Sequence, residues 1–232
     1  MEQGKNPNSV SNRNKMLMVL YGKENVGKTS TLVYLALLLA GNGIINKNLE
    51  RKVKRTLKYK KSKFRDVRFI IECDGKLVLL CTFGDNWAAC RINVDFFQGT
   101  YSNLTNIYRL TASDIIQLEP EEKNSYASMS ADVCVSACRP SGDSFGALKA
   151  LHNHVELTEK AEDTNTGDNY EYQLWLRIKP KEPNLTIRQV DKKLKAQAKE
   201  LWTIINRYLN NQNPFDIPVP SLSNANNNHN NP

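Results

Sequence analysis

Gly22-Lys23-Glu24-Asn25-Val26-Gly27-Lys28-Thr29 is the stretch on which the reading of this chain turns. It has the form G-x-x-x-x-G-K-T. Before it, Met16 to Tyr21 (MLMVLY) is a short apolar run fit for a buried strand. After it, Ser30 to Ala40 (STLVYLALLLA) is rich in helix formers and is stopped by Gly41. Strand, glycine-bounded loop and helix is the setting that turns this spacing into an anion cradle. Gly22 and Gly27 let the backbone curl without a Cβ clash. The amides of Lys23, Glu24, Asn25 and Val26 can then turn inward as a nest. A helix starting near Lys28 adds the positive end of its dipole. Lys28 is placed to reach the β- and γ-phosphates of a nucleotide. Thr29, followed by Ser30, offers a hydroxyl to Mg²⁺, which keeps several waters and takes few protein ligands.

The motif resembles the Walker A loop of P-loop NTPases. The order of elements read along the chain is strand, loop, helix, hairpin, strand, helix, strand, helix. Together these imply an α/β fold: a three-layer α/β/α P-loop NTPase sandwich, with a mainly parallel sheet of about five strands and one antiparallel strand.

The chain has 232 residues, enough for one domain with appendages. With 40% apolar residues it can build a core. No apolar run approaches the ~20 residues of a membrane span, and the polar opening MEQGKNPNSVSNRNK has no signal-peptide core. These features point to a cytoplasmic protein. Cys73, Cys81, Cys90, Cys134 and Cys138 are odd in number, and three fall inside expected strands. Cys134-x-x-x-Cys138 is not the usual zinc spacing, even with His152 and His154 nearby, so buried reduced thiols are expected.

The formal net charge of +8 is unevenly spread. Residues 46–68 hold 11 Lys/Arg against 2 Asp/Glu, and the rest of the chain is close to neutral. Leu49, Val53 and Leu57 give this basic insertion a thin helical stripe, with Tyr59 and Phe64 among the cations. It reads either as a patch for nucleic acid or substrate phosphate, or as a solvated loop.

Val67 to Cys73 and Lys76 to Thr82 form a hairpin turned at Asp74-Gly75. The hairpin resembles the second and third strands of Ras-like GTPases, whose inner strand ends in D-x-x-G. Here the stretch is Cys81-Thr82-Phe83-Gly84, with cysteine in the acidic position and Asp85 just after the glycine. The resemblance implies that Thr82 and Gly84 face the γ-phosphate. If the inner strand runs parallel to the first, Asp85 stands near the phosphates as the acidic partner of Mg²⁺ through water. The competing role for Asp85 is to cap the helix beginning near Asn86.

Ile107 to Leu118 mixes periods, with Ser113 or Asp114 as caps for a short helix, and Glu119 to Glu122 reads as an acidic break. Asp132 to Cys138 is a short buried strand. Arg139 follows it, on the strand edge where ligands of parallel α/β sheets bind, and is a candidate to stabilise phosphate charge. Asp143 or Ser144 is placed to cap a helix of about Phe145 to Lys160. Tyr170 to Ile178 is a further strand. Asn184 to Leu209 is an amphipathic helix capped by Thr186, with Leu194, Ala198, Leu201, Ile204, Ile205 and Leu209 on one face. Residues 1–14 read as a flexible leader, 15–209 as the domain and 210–232 as an Asn-rich disordered tail.

No N-K-x-D motif follows a late strand, so guanine specificity has no support and ATP is the default over GTP. The LSGGQ signature of ABC ATPases is also absent. Three functions stay open. The first is a Mg²⁺-dependent NTPase whose catalytic set is Lys28, Asp85 and Arg139 and whose cycle controls a protein partner. The second is a small-molecule or nucleotide kinase on the same scaffold. The third is a nucleotide-switched module that binds nucleic acid through 46–68.

Overall fold

A computed structural model describes residues 15–58, 64–84, 87–98, 105–127, 131–140, 144, 172–178 and 184–216. The expected leader, Asp85, the helix of about 145–160, both histidines near it and residues 217–232 lie outside that set.

In chain order the elements are β1 (Met16–Tyr21), α1 (Lys28–Ala40), α2 (Lys47–Leu57), β2 (Arg68–Cys73), β3 (Lys76–Cys81) and α3 (Trp87–Gln98). Then come β4 (Ile107–Leu110), β5 (Ile115–Gln117), α4 (Pro120–Ala127), β6 (Val133–Cys138), β7 (Tyr172–Arg177) and α5 (Ile187–Leu209). The strands form one sheet in the order β5-β4-β2-β3-β6-β1-β7. β1 runs parallel to β6 and β7, and β6 runs parallel to β3. β2 opposes β3 and is parallel to β4, which opposes β5. The sheet therefore has seven strands where about five were expected, and two of them, β2 and β4, run against the rest.

The extra strands come from the stretch that mixed periods. β4 and β5 have four and three residues, too few to display an alternation. Asp114 does not cap a helix there. Its amide bonds the Thr111 hydroxyl at 3.1 Å and its carboxylate takes the Ile115 amide at 2.9 Å, closing a hairpin turn. The acidic run that read as a break is a helix start. Pro120 opens α4, Glu121 and Glu122 occupy its positive end, and Glu122 accepts from the Glu119 amide at 3.0 Å.

Period-two alternation sorts the core onto both faces of the sheet. Met16, Met18 and Leu20 of β1, Phe69 and Ile71 of β2, Val78 and Leu80 of β3, and Val133 and Val135 of β6 face one cluster with α1, α2 and α5. Leu17, Val19, Ile70, Leu77, Leu79 and Cys134 face the other, with Cys90 and Phe97 of α3 and Tyr126 of α4. The chain is thus a mixed α/β protein with helices against both faces of a mostly parallel sheet. No helix among the described residues is long and apolar enough to cross a membrane.

Several local expectations hold. The β2–β3 turn uses Asp74 and Gly75 at φ 48° and 74°. α5 starts at a Thr186–Gln189 capping box and buries the six residues named from its period. The basic insertion contains a helix, α2, that buries Leu49, Val53 and Leu57 and is capped by the Asn46 side chain. The described residues just beyond α5 are tied to the domain. Lys76 donates to the carbonyls of Tyr208 and Leu209 and to Asn211, while Arg207 binds the Asn213 carbonyl at 2.9 Å. These bonds hold the chain beyond α5 against the start of β3.

Candidate functional site

The loop 22–27 leaves the end of β1 and turns directly into α1. Gly22 is buried, its amide donating to the Cys138 carbonyl at the end of β6, 3.3 Å away. A Cβ there would stand 2.8 Å from the Ile178 carbonyl oxygen, so the neighbouring backbone excludes a side chain. Lys23, Glu24 and Asn25 are exposed, while Val26 drops into the core as the loop's anchor. Asn25 and Gly27 take left-handed φ values of 59° and 107°. Gly27 is the N-cap of α1, and its carbonyl accepts the first helical bond, from Thr31, at 2.8 Å.

α1 has neither a side-chain cap nor an acidic residue in its first turn. The amides of Lys28, Thr29 and Ser30 precede that first helical bond, and the positive end of the helix carries no compensating carboxylate. The Lys28 ammonium folds over the loop, donating to the carbonyls of Gly22 at 2.6 Å and Lys23 at 2.9 Å. Thr29 and Ser30 are half-buried beside it. Residues Lys23 to Gly27 therefore form a backbone-lined turn under the Lys28 ammonium. Its chemistry suits a small, multiply charged anion.

Arg139 stands at the rim. It follows β6, and its guanidinium pairs with the Glu24 carboxylate at 2.5 Å, while its amide donates to the Ser144 hydroxyl at 3.2 Å. The hydroxyl expected to cap a helix thus receives the Arg139 amide.

The inner strand of the hairpin, β3, is parallel to β1, but β6 lies between them. Two strand spacings, roughly 10 Å, separate the end of β3 from the loop. Thr82 is 4% exposed. Its hydroxyl accepts from the Val67 amide at 2.7 Å and lies 3.2 Å from the Val67 carbonyl and 3.3 Å from the Asp66 carboxylate. It fastens the end of β3 to the residues ahead of β2. Gly84 is packed onto the end of β6, where a Cβ would lie 2.3 Å from the Ala137 oxygen. Cys81, in the position that Ras-like proteins fill with an acid, is buried beside Cys134.

Two polar residues that the sequence reading passed over sit beneath this loop. Arg68 is 3% exposed, donates through Nε to Asn93 Oδ1 at 3.0 Å, and lies 4.2 Å from the centre of the Phe83 ring. Burial pulls its pKa down, while the Cys81 thiol and Asp66 nearby pull it back. Asn93 is fully buried, and its amide nitrogen reaches the Phe83 carbonyl at 3.0 Å and the Ser136 hydroxyl at 3.1 Å. Helical spacing carried a signal for Asn93, because Cys90 and Phe97 on the same face of α3 are buried.

Thr29 is the described group that fits Mg²⁺ held mainly by phosphate oxygens and water. Among the described residues no group of three His, Cys, Asp or Glu could hold a metal by protein ligands alone. Comparison with protein-family models, with curated proteins and with solved structures returned no match.

Proposed function

We propose that the chain is a P-loop protein, a three-layer sandwich that binds a nucleoside triphosphate with Mg²⁺ over residues 22–30 and hydrolyses it to control a partner. One observation carries the reading. The loop between β1 and α1 ends on an uncapped, acid-free helix start with the Lys28 ammonium folded across its backbone. Lys28 would lie along the β- and γ-phosphates, and the first-turn amides of α1 would take phosphate oxygens. Thr29 would hold Mg²⁺, which would supply charge neutralisation for phosphoryl transfer. Arg139 would add a second cation from the end of β6. ATP is favoured over GTP on the absence of an N-K-x-D motif.

The test is calorimetric titration of ATP and GTP with Mg²⁺, wild type against Lys28→Ala, with phosphate release followed alongside. Binding and release that Lys28→Ala abolishes are the expected result. A folded wild type that binds neither nucleotide overturns the reading. Binding without release favours a kinase on the same scaffold, and a phosphorylated product on adding candidate acceptors identifies it.

A second reading has its own observation. Lys47, Arg51 and Arg55 of α2 are all exposed and recur every four residues, so they form one cationic stripe about two turns long. The acidic residue of α2, Glu50, turns away to Lys54 and Lys195. Such a stripe suits a nucleic-acid backbone. Neutralising the three residues should then weaken binding to a single-stranded oligonucleotide and flatten its salt dependence. No measurable oligonucleotide affinity at low salt would remove this reading.

A further inference from the structure

The end of β6 touches two loops at once. On one side, the Cys138 carbonyl holds the Gly22 amide and Arg139 holds Glu24. On the other, Ala137 and Cys138 receive Gly84, which has no room for a side chain against them. The segment Thr82 to Gly84 is therefore seated on the same strand end as the candidate phosphate loop.

The Phe83 carbonyl within it is held by one side-chain amide. Asn93 projects from α3 and bonds three partners drawn from three other segments: Arg68 of β2, Ser136 of β6 and the carbonyl of Phe83. Its orientation is determined by chemistry. The Arg68 Nε is a donor only and the Phe83 carbonyl an acceptor only, so Oδ1 must face the first and Nδ2 the second. The Phe83 ring in turn lies over the Arg68 guanidinium. Phe83 is thus held at its backbone and at its ring, one residue before the close contact of Gly84. A buried amide with all three bonds made is costly to disturb and gives its loop one position.

We propose that Asn93 is a positioning residue: through the Phe83 carbonyl it holds Phe83-Gly84 on the end of β6 beside the bound triphosphate, so that its loss slows turnover without weakening nucleotide binding. This rests on the nucleotide reading above. The phosphate-holding groups, Lys28 and the first turn of α1, lie on β1–α1 and do not depend on Asn93. The loop after β3 does.

Asn93→Asp is the informative variant. A carboxylate keeps the acceptor for Arg68 and adds charge complementarity, so the chain should stay folded, yet no N–H remains for Phe83. Ser136→Ala is the control, removing the β6 partner while leaving the Phe83 bond. With MgATP and MgGTP as probes, Asn93→Asp should bind within about threefold of wild type and release phosphate about tenfold more slowly or worse. Its Phe83 and Gly84 amides should also exchange hydrogen faster than wild type, with or without nucleotide, while β1 and β3 stay protected. Ser136→Ala should change neither rate nor affinity appreciably. Wild-type turnover and wild-type exchange at 83–84 in Asn93→Asp would overturn the proposal. So would equal losses of binding and turnover, which would mark Asn93 as merely structural. If turnover is too slow to read in any form, the exchange at 83–84 decides. Failure of the nucleotide reading shows separately, as wild type binding no better than Lys28→Ala.

Discussion

The Arg139 guanidinium and the Glu24 carboxylate meet at 2.5 Å, joining the end of β6 to the exposed side of the loop that follows β1. Glu24 is 61% exposed at its side chain and Arg139 42%, so the pair lies at the surface, where solvent weakens it. Under the proposed function, a phosphate chain entering the loop would meet an arginine whose charge is already engaged by a carboxylate. Such binding would exchange one anion for another.

Glu24→Gln should therefore tighten nucleotide binding, by about three- to tenfold at low salt and less at high salt, because it removes the carboxylate that engages Arg139 and with it a negative charge at the rim. Arg139→Ala should weaken it. Calorimetry at two ionic strengths checks both, and unchanged affinity in both variants would mean that Arg139 does not reach the ligand.

Gly84→Ala should be far more damaging than Gly75→Ala. Both glycines sit at loops next to β3, but at Gly84 the new methyl meets backbone at 2.3 Å, whereas at Gly75 nothing lies within 4 Å and only the φ of 74° opposes it. Urea unfolding should give about 1–2 kcal/mol for Gly75→Ala and a larger loss for Gly84→Ala, since the Ala137 carbonyl cannot move without shifting β6.

The helices α1, α2 and α5 share a charged cluster. Lys195 bonds Glu50 at 2.9 Å and Asp191 at 3.1 Å, Lys54 bonds Glu50 at 2.7 Å, and the Tyr34 hydroxyl donates to Asp191. Burial opposes ionisation of Glu50, but Lys54 and Lys195 outweigh it and hold its pKa below the ordinary glutamate value. Asp191 is likewise held below its ordinary value, by Tyr34 and Lys195 against burial. A carboxylate depressed on folding stabilises above its unfolded pKa and loses that stabilisation as pH falls through the folded one. Stability should thus fall off on acidification below about pH 4. Glu50→Gln should lower the neutral-pH stability and flatten that acid limb, as thermal melts across pH 3–7 would show. A limb of unchanged steepness would locate the acid sensitivity elsewhere.

Thiol labelling should separate the cysteines. Cys73 is half-buried, and burial raises its pKa to about 11. Cys138 is buried and raised to about 12, by burial and Cys90 against the pull of Lys28. In the folded chain Cys73 should label first and slowly, with Cys81, Cys90, Cys134 and Cys138 reacting only on unfolding. A fast second thiol would show that the β3–β6 end opens readily.

The local elements were legible because their signals are local. A glycine-bounded loop between an apolar run and a helix-forming run, an Asp-Gly turn, a capping threonine and the period of Leu194 to Leu209 each depend on residues close in the chain. The three buried residues of α2 were readable for the same reason. Strand order was not. Nothing in the composition of Val133 to Cys138 says that it pairs with both β1 and β3 and stands between them, since strand neighbours are chosen by packing over the whole sheet. That one insertion sets the end of β3 two strands away from the loop at 22–27 and makes the end of β6 the element that touches both. The Arg139–Glu24 pair and the Asn93–Ser136 bond depend on it, whereas the turn of Thr82 toward Val67 follows from the β2–β3 pairing itself. The sequence alone determined the long local elements, β1, α1, the β2–β3 hairpin, β6 and α5, and the glycine-bounded loop at 22–27; tertiary structure alone decided that 107–117 pairs as two short strands and which strand ends stand beside that loop, because side-chain pairing across a sheet joins residues that no spacing along the chain relates.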